Sequence, residues 1–294
     1  MTHLLLGVGF GLVTAAIIAL STVALSLQFS VTRSINFAHG ELMTVGAYGG
    51  FLVAKSTSNL ALQALAAMAA GGALGWILNR GLFRPFRRQG ANNLVLLVLS
   101  VAASFIIQDV LQIGFGGNFV NYKTGTSPSH HIGPFDWTTN DLITMVVAVV
   151  VLLLLHLMIR RTRFGKAQRA VADDLSLART TGISAEKVID ATWFLDGAIA
   201  GLAGMFLAVQ VGSFTPALGF IYLLVVFSAA IVGGIGQMYG AMLGALLIGT
   251  VMEVSAMYID PSYKETMAFL LLVAVLLFRP QGIIPALGSE GSVV

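Results

Sequence analysis

Cysteine is absent from the chain, which excludes a disulfide framework, thiolate metal sites and iron–sulfur clusters. Charge is scarce too. Asp, Glu, Lys and Arg make up 10% of the 294 residues, against about 25% in soluble domains, too little to clothe a soluble surface of this size. The net charge of +3 is small and gives no reason to expect a nucleic-acid partner. No GxxxxGK(S/T) run occurs, so no ATP site of that type is expected in the chain itself. His39-Gly40-Glu41 lacks the second histidine of a zinc-binding HExxH helix. No paired carboxylates and no Ser/His/Asp arrangement stand out. The chain is therefore expected to be no enzyme and to carry no cofactor or metal.

Apolar length is what the chain does have. Hydrophobic residues make up 57%, the mean hydropathy is +0.89, and several apolar runs exceed the ~18 residues that signal a membrane span. The fold class expected is an all-α polytopic membrane protein, one transmembrane domain over residues 1–294. About nine hydrophobic segments (eight to ten) are judged against the ~20 residues needed to span a bilayer. They are Leu4–Phe29, Phe37–Ala54, Leu60–Asn79, Asn93–Phe115, Leu142–Ile159, Val188–Gln210, Phe220–Gly233, Met238–Tyr258 and Thr266–Phe278. The second, seventh and ninth are short enough to be tilted, broken or re-entrant. The N-terminal run has no basic flank and outlasts a signal-peptide core, so it reads as a retained first span.

Nine spans put alternate connections on one face. That face then holds every arginine, together with Lys166 and Lys187, while the opposite face has Lys55, Lys123 and Lys264. Basic loops stay in the cytoplasm, so the N-terminus is expected outside and the C-terminus inside. Glycines at helical spacing, such as Gly7/Gly11, Gly46/Gly50, Gly71/Gly75 and Gly197/Gly201, indicate a tight bundle, because in lipid close backbone approach replaces the hydrophobic drive between helices. The connection Gly116–Asn140, with Pro128 and Pro134, reads as an irregular outer loop with room for a short surface helix. Its His130-His131 pair reads as a solvated pair, since no further ligand stands at usable spacing.

Polar residues inside spans are few and therefore informative. Asn36, His39 and Glu41 stand at the cytoplasmic entry of the second segment and cannot face lipid cheaply. Gly40 permits an irregular backbone there. Two readings stay open: a translocation path or gate, or a hydrogen-bonded cluster that locks a helix break. Gln108-Asp109, Asp196, Gln210 and Glu253 are scattered. Glu41, Asp196 and Glu253, placed near span ends, are the carboxylates an ion-coupled secondary transporter would have to use.

The longest inner connection, Arg160–Lys187, reads as one helix or two short ones between Gly165 and Gly182. Ala170, Val171, Leu175 and Ala178 mark an apolar face, basic residues flank it, and Gly182 is a helix stop. Such a segment can lie on lipid or insert into a partner's groove. Asp173 and Asp174 oppose the lipid reading. Insertion would use Ala170, Leu175 and Ala178, with Asp173, Asp174 and Arg179 at the rim.

At these two segments the chain resembles the LivH-type permeases of branched-chain amino-acid ABC importers. Ser34–Gly50 (SINFAHGELMTVGAYGG) carries the likeness. So do Phe194–Ala208, Ile231–Gly244 and Phe278–Ile283, and the inner loop resembles the family's coupling loop, with Ser176-Leu177-Ala178 at the Glu-Ala-Ala triplet and Gly182 at its glycine. The resemblance implies a permease embedded in bacterial inner-membrane lipid. It implies a second permease subunit, commonly a paralogue, two cytoplasmic ABC ATPases and an extracytoplasmic solute-binding protein. It makes residues 160–187 the ATPase coupling loop. Urea and short-amide permeases share these hallmarks, so the solute stays open between them and branched-chain amino acids.

Overall fold

The computed structural model describes residues 2–122, 128–133 and 135–284. Each of the nine apolar segments is a helix. They are α1 (Thr2–Thr32), α2 (His39–Ala54), α3 (Leu60–Leu78), α5 (Asn93–Phe115), α6 (Thr139–Arg161), α9 (Ala185–Val211), α10 (Leu218–Gly233), α11 (Met238–Ala256) and α12 (Lys264–Phe278). Seven helical runs among the described residues are long and apolar enough to cross a membrane. The protein is an all-α multi-pass membrane protein. Helices α2 and α10 have 16 residues each, about 24 Å at ~1.5 Å per residue, short of the ~30 Å hydrocarbon core.

Two connections depart from expectation. The stretch after α3 does not become a loop at Arg80. It stays helical through a π segment (Asn79–Phe83) and α4 (Arg84–Arg88). Pro85 explains the wide turn: it has no N–H to donate, and its ring would strike the carbonyl four residues earlier in a regular α-helix. The connection between α5 and α6 holds no helix among its described residues before Thr139. Instead β2 (Ser129–Ile132) and β3 (Phe135–Thr138) form an antiparallel hairpin. Aromatic and β-branched residues favour strand there. His131 pairs with Asp136, and His130 hydrogen-bonds Thr139. Lys123, Pro134 and the C-terminal tail lie outside the described residues.

The chain divides into two units. In the first, α1 packs through Gly11 on the α11 backbone at Thr250. The Thr14 hydroxyl donates to Glu253 (2.9 Å), whose other oxygen meets Lys264 of α12 (2.7 Å). The segment after α12 returns to α10, with Ile283 N donating to the Val232 carbonyl at 2.8 Å. The second unit is built on α2, α3 and α9. Gly46 of α2 and Gly71 of α3 both meet the α9 backbone, at Gly201 and Gly197, so closely that a Cβ on either would strike it. That is the contact small residues permit in lipid. Beyond these helices, β1 (Val120–Asn121) pairs with β4 (Ser213–Phe214). Tyr48, Phe51, Phe115, Tyr122 and Phe214 cluster around this pair.

Candidate translocation site and coupling segment

The polar cluster at the start of α2 is built by a turn. Asn36 Oδ1 accepts from Ala38 N (3.1 Å), and its carbonyl accepts from His39 N (3.3 Å). Ser100 of α5 accepts from Phe37 N at 3.0 Å. The turn delivers His39 and Glu41 into the first turn of α2, both fully buried, with Asn36 at 1% exposure. Gly40 does not break the helix, contrary to expectation. It lies inside α2 with ordinary backbone angles, and its role is contact: a Cβ there would come within 2.6 Å of the Gly219 carbonyl in the first turn of α10. Thr44 ties the same junction, accepting from Gly219 N at 3.0 Å. Two short helices thus touch at their N-terminal turns, where the helix dipole favours negative charge.

His39 and Glu41, two residues apart, do not face one another. His39 Nδ1 lies 3.0 Å from Asp196 Oδ1, both side chains at 0% exposure. Glu41 accepts from the Ser104 hydroxyl of α5 at 3.0 Å. Asp196 was expected near a span end, yet it stands well inside α9 and completes the site. Its signal was legible as a lone carboxylate in an apolar run; its partner was not. Asn36 Nδ2 is buried without a hydrogen-bond partner among the described residues. An unpaired buried polar group costs about 1–3 kcal/mol. A cluster kept only to lock a helix would gain by closing that bond.

The candidate coupling segment folds as two short helices, α7 (Arg163–Asp173) and α8 (Leu175–Thr180). Thr162 caps α7, accepting from Gly165 N at 3.1 Å, and Asp174 caps α8, accepting from Ser176 N (2.8 Å) and Leu177 N (3.0 Å). The Ser176 hydroxyl also donates to Asp174 (2.6 Å), and this bond, followed by those from Leu177 N and Ser176 N, holds the Asp174 carboxyl below the usual range. Gly182 adopts φ +83°, and Ile183 N and Gly182 N return to the carbonyls of Ala178 and Arg179. That is a Schellman stop, which glycine fills without steric cost.

The expected apolar face divides. Val171 and Ala178 turn inward, at 3% exposure each, Ala170 is half-buried, and Leu175 (37%) and Leu177 (61%) turn outward. Ala178 is therefore a packing residue of its own unit, and Leu177, left out of the expected insert, is the most exposed apolar group of α8. The reason is the helix break at Asp174, whose extended φ of −148° rotates the residues after it out of the stripe that continuous helical spacing would give.

The segment is moored to the unit at several points. Gln168 donates to Ser30 (3.1 Å), and Arg33 donates to the Ala172 carbonyl (2.7 Å) from a left-handed backbone, φ +50°. Arg179 lies 3.6 Å from Glu186, in the first turn of α9. The same carboxylate meets Arg84 and, at 3.8 Å, Arg88. Asp190, one turn on, meets Asn79 (2.6 Å) and Arg84 (3.4 Å). The sequence reading singled out neither Glu186 nor Asp190. Their acidic charge opposite an arginine-rich turn was the available signal.

Residues 7–276 match the family model described as branched-chain amino acid transport system, permease component. The chain belongs to this family. The permease is 33% identical over 297 residues to the high-affinity branched-chain amino acid transport system permease protein BraD of Pseudomonas aeruginosa, covering 93% of each chain. It is 30% identical over 288 residues to the corresponding protein LivH of Salmonella typhimurium, again covering 93% of each. A partial likeness, 31% over 143 residues, links 46% of the permease to 40% of the fructose import permease protein FrcC of Rhizobium meliloti. No solved structure matches. The relatives are permease components of import systems, so the permease works with other components of such a system.

Proposed function

We propose that the permease forms part of the membrane path of an ATP-driven importer for branched-chain amino acids, in a bacterial inner membrane. The observation that carries this reading is the family match across residues 7–276. In this reading the permease catalyses nothing itself. A second permease subunit, a paralogue, completes the path. Two ATPases act from the arginine-bearing face, which is cytoplasmic, and a solute-binding protein delivers amino acid on the other, where the N-terminus lies.

Asn36, His39, Gly40 and Glu41 shape the path or its gate. Support comes from their burial beside Asp196 and from the meeting of two sub-span helices, a recurrent way to bring polar backbone to a transport route. The ATPases engage α8 through Leu175 and Leu177. Ala170, Asp173 and Arg179 lie around that contact, with Asp174 and Gly182 fixing the ends of the helix. Motion enters through this contact surface, because the chain holds no phosphate-binding loop.

The test is reconstitution of the permease with its partner subunits in liposomes, measuring ATP-dependent uptake of leucine and of urea. Leucine uptake without urea uptake is expected. Leu177→Glu should insert normally and lose ATPase co-purification, or hydrolyse ATP without uptake. Full transport with intact co-purification would remove α8 from the coupling role.

A further inference from the structure

A pocket of about 640 Å³ opens in the second unit beside α8. Arg87, Arg88 and Arg179 line it, over an apolar floor that includes Leu96 and Ile189, and Leu175 borders it. Leu96 and Ile189 are 3% and 6% exposed. One acidic residue, Glu186, is among the lining groups, so the lining carries a net charge of +2 from three arginines less one carboxylate. Glu186 is already shared with Arg84, Arg88 and Arg179. Arg87 donates from Nη2 to Asn79, while its Nη1 is buried with no hydrogen-bond partner among the described residues. A pocket lined by three guanidinium groups and one carboxylate calls for an anionic acceptor.

The level of the pocket narrows the ligand. Its walls are the last turn of α1 and the first turns of α5 and α9, where an apolar bundle gives way to charge. Outside the pocket, Leu94 (69% exposed) and Val98 (57%) continue the apolar surface of α5. Trp76, with Arg80 over its ring at 5.0 Å, stands near the same end of α3, as amphipathic aromatics do at a headgroup boundary. The chemistry required is an anionic phosphate joined to an apolar chain.

We propose that this pocket binds the phosphate headgroup of an anionic phospholipid, with Arg87, Arg88 and Arg179 on the phosphate and the acyl chain along α5. Bound there, the lipid joins α4, α8 and α9 and sets the stiffness with which α8 is held. Site and ligand follow from the charge and level of the pocket and do not depend on which solute the permease carries.

The probe is dipalmitoyl phosphatidylglycerol, added to the delipidated full-length chain and, separately, to the assembled transporter. Retention is read by native mass spectrometry and melting temperature, with phosphatidylcholine and inorganic phosphate as controls. Phosphatidylglycerol should be retained and should raise the melting temperature in both preparations, and phosphatidylcholine should not. Each arginine removed should weaken binding about fivefold, at ~1 kcal/mol per basic residue near an anionic surface. Arg87→Gln also removes the bond to Asn79 and can unfold the chain. The exposed pair Arg88→Gln and Arg179→Gln keeps the test open, with about a 25-fold loss expected from the same arithmetic. An equal effect from inorganic phosphate would reduce the site to a free-anion site and overturn the lipid assignment. Unchanged binding in the double variant would overturn the location. Binding to the isolated chain that disappears on assembly would give the pocket to a partner subunit and overturn the proposal.

Discussion

His39 and Asp196 sit side by side where no solvent reaches. Two facing ionisable groups in an apolar interior tolerate removal of both better than removal of one, because the survivor keeps its desolvation cost and loses this contact. Asp196→Ala is expected to destabilise the permease by about 3–5 kcal/mol, seen as a lowered melting temperature in detergent. The double replacement His39→Leu with Asp196→Leu should recover much of that loss and still abolish uptake, because the polar path is gone. A double variant as unstable as the single one would remove the pair logic. A stable double variant with full uptake would leave the pair without a transport role. Asp196 was readable as a carboxylate in an apolar run. Its pairing was not, because the contact joins residues 39 and 196, and only the packing of α2 on α9 brings them together.

On the scale of an element, α8 depends on its ends. Asp174 closes the N-terminus and the Gly182 turn closes the C-terminus, and only six residues lie within, too few for intrinsic helix stability. The Asp174 carboxyl is held below its usual range by the bonds it accepts in the folded segment. Its contribution is therefore fully present above the unfolded value of about 3.9. It is lost as pH falls through the lower folded value. Amide exchange of Ser176–Ala178, corrected for the intrinsic rate, should show protection falling on acidification through that window. Asp174→Asn keeps a capping oxygen and should remove the pH dependence. The same dependence in the variant would place the titrating group elsewhere. The residue spacing located this segment and its glycine stop. It could not locate the break at Asp174, which decides that Ala178 packs inward and Leu177 outward.

For the whole molecule, the arrangement of charge makes a prediction about topology. The chain has no cysteine, so single cysteines report without background. A cysteine replacing Ser129, exposed in the β2–β3 hairpin, should react with an impermeant maleimide added to intact cells. One replacing Lys187, exposed in the first turn of α9, should react only after permeabilisation. The reverse pattern would invert the orientation and put α8 on the wrong side for an ATPase.

The sequence by itself determined the class of this protein: 57% apolar residues in runs of bilayer length and 10% charge leave little but a helical membrane bundle, since lipid offers backbone groups no partner outside a helix or a closed barrel. It also indicated a tightly packed bundle, because glycine at helical spacing allows close backbone approach in lipid. Tertiary structure decided what those helices bring together. Pairing His39 with Asp196, Glu41 with Ser104 and Glu186 with three arginines depends on helix rotation and register. Those are set by glycine contacts, such as Gly46 on Gly201, between residues far apart in the chain. The wide turn before Pro85 and the hairpin after residue 128 were likewise decided by local backbone chemistry that hydrophobic periodicity, reporting only which positions avoid water, does not encode.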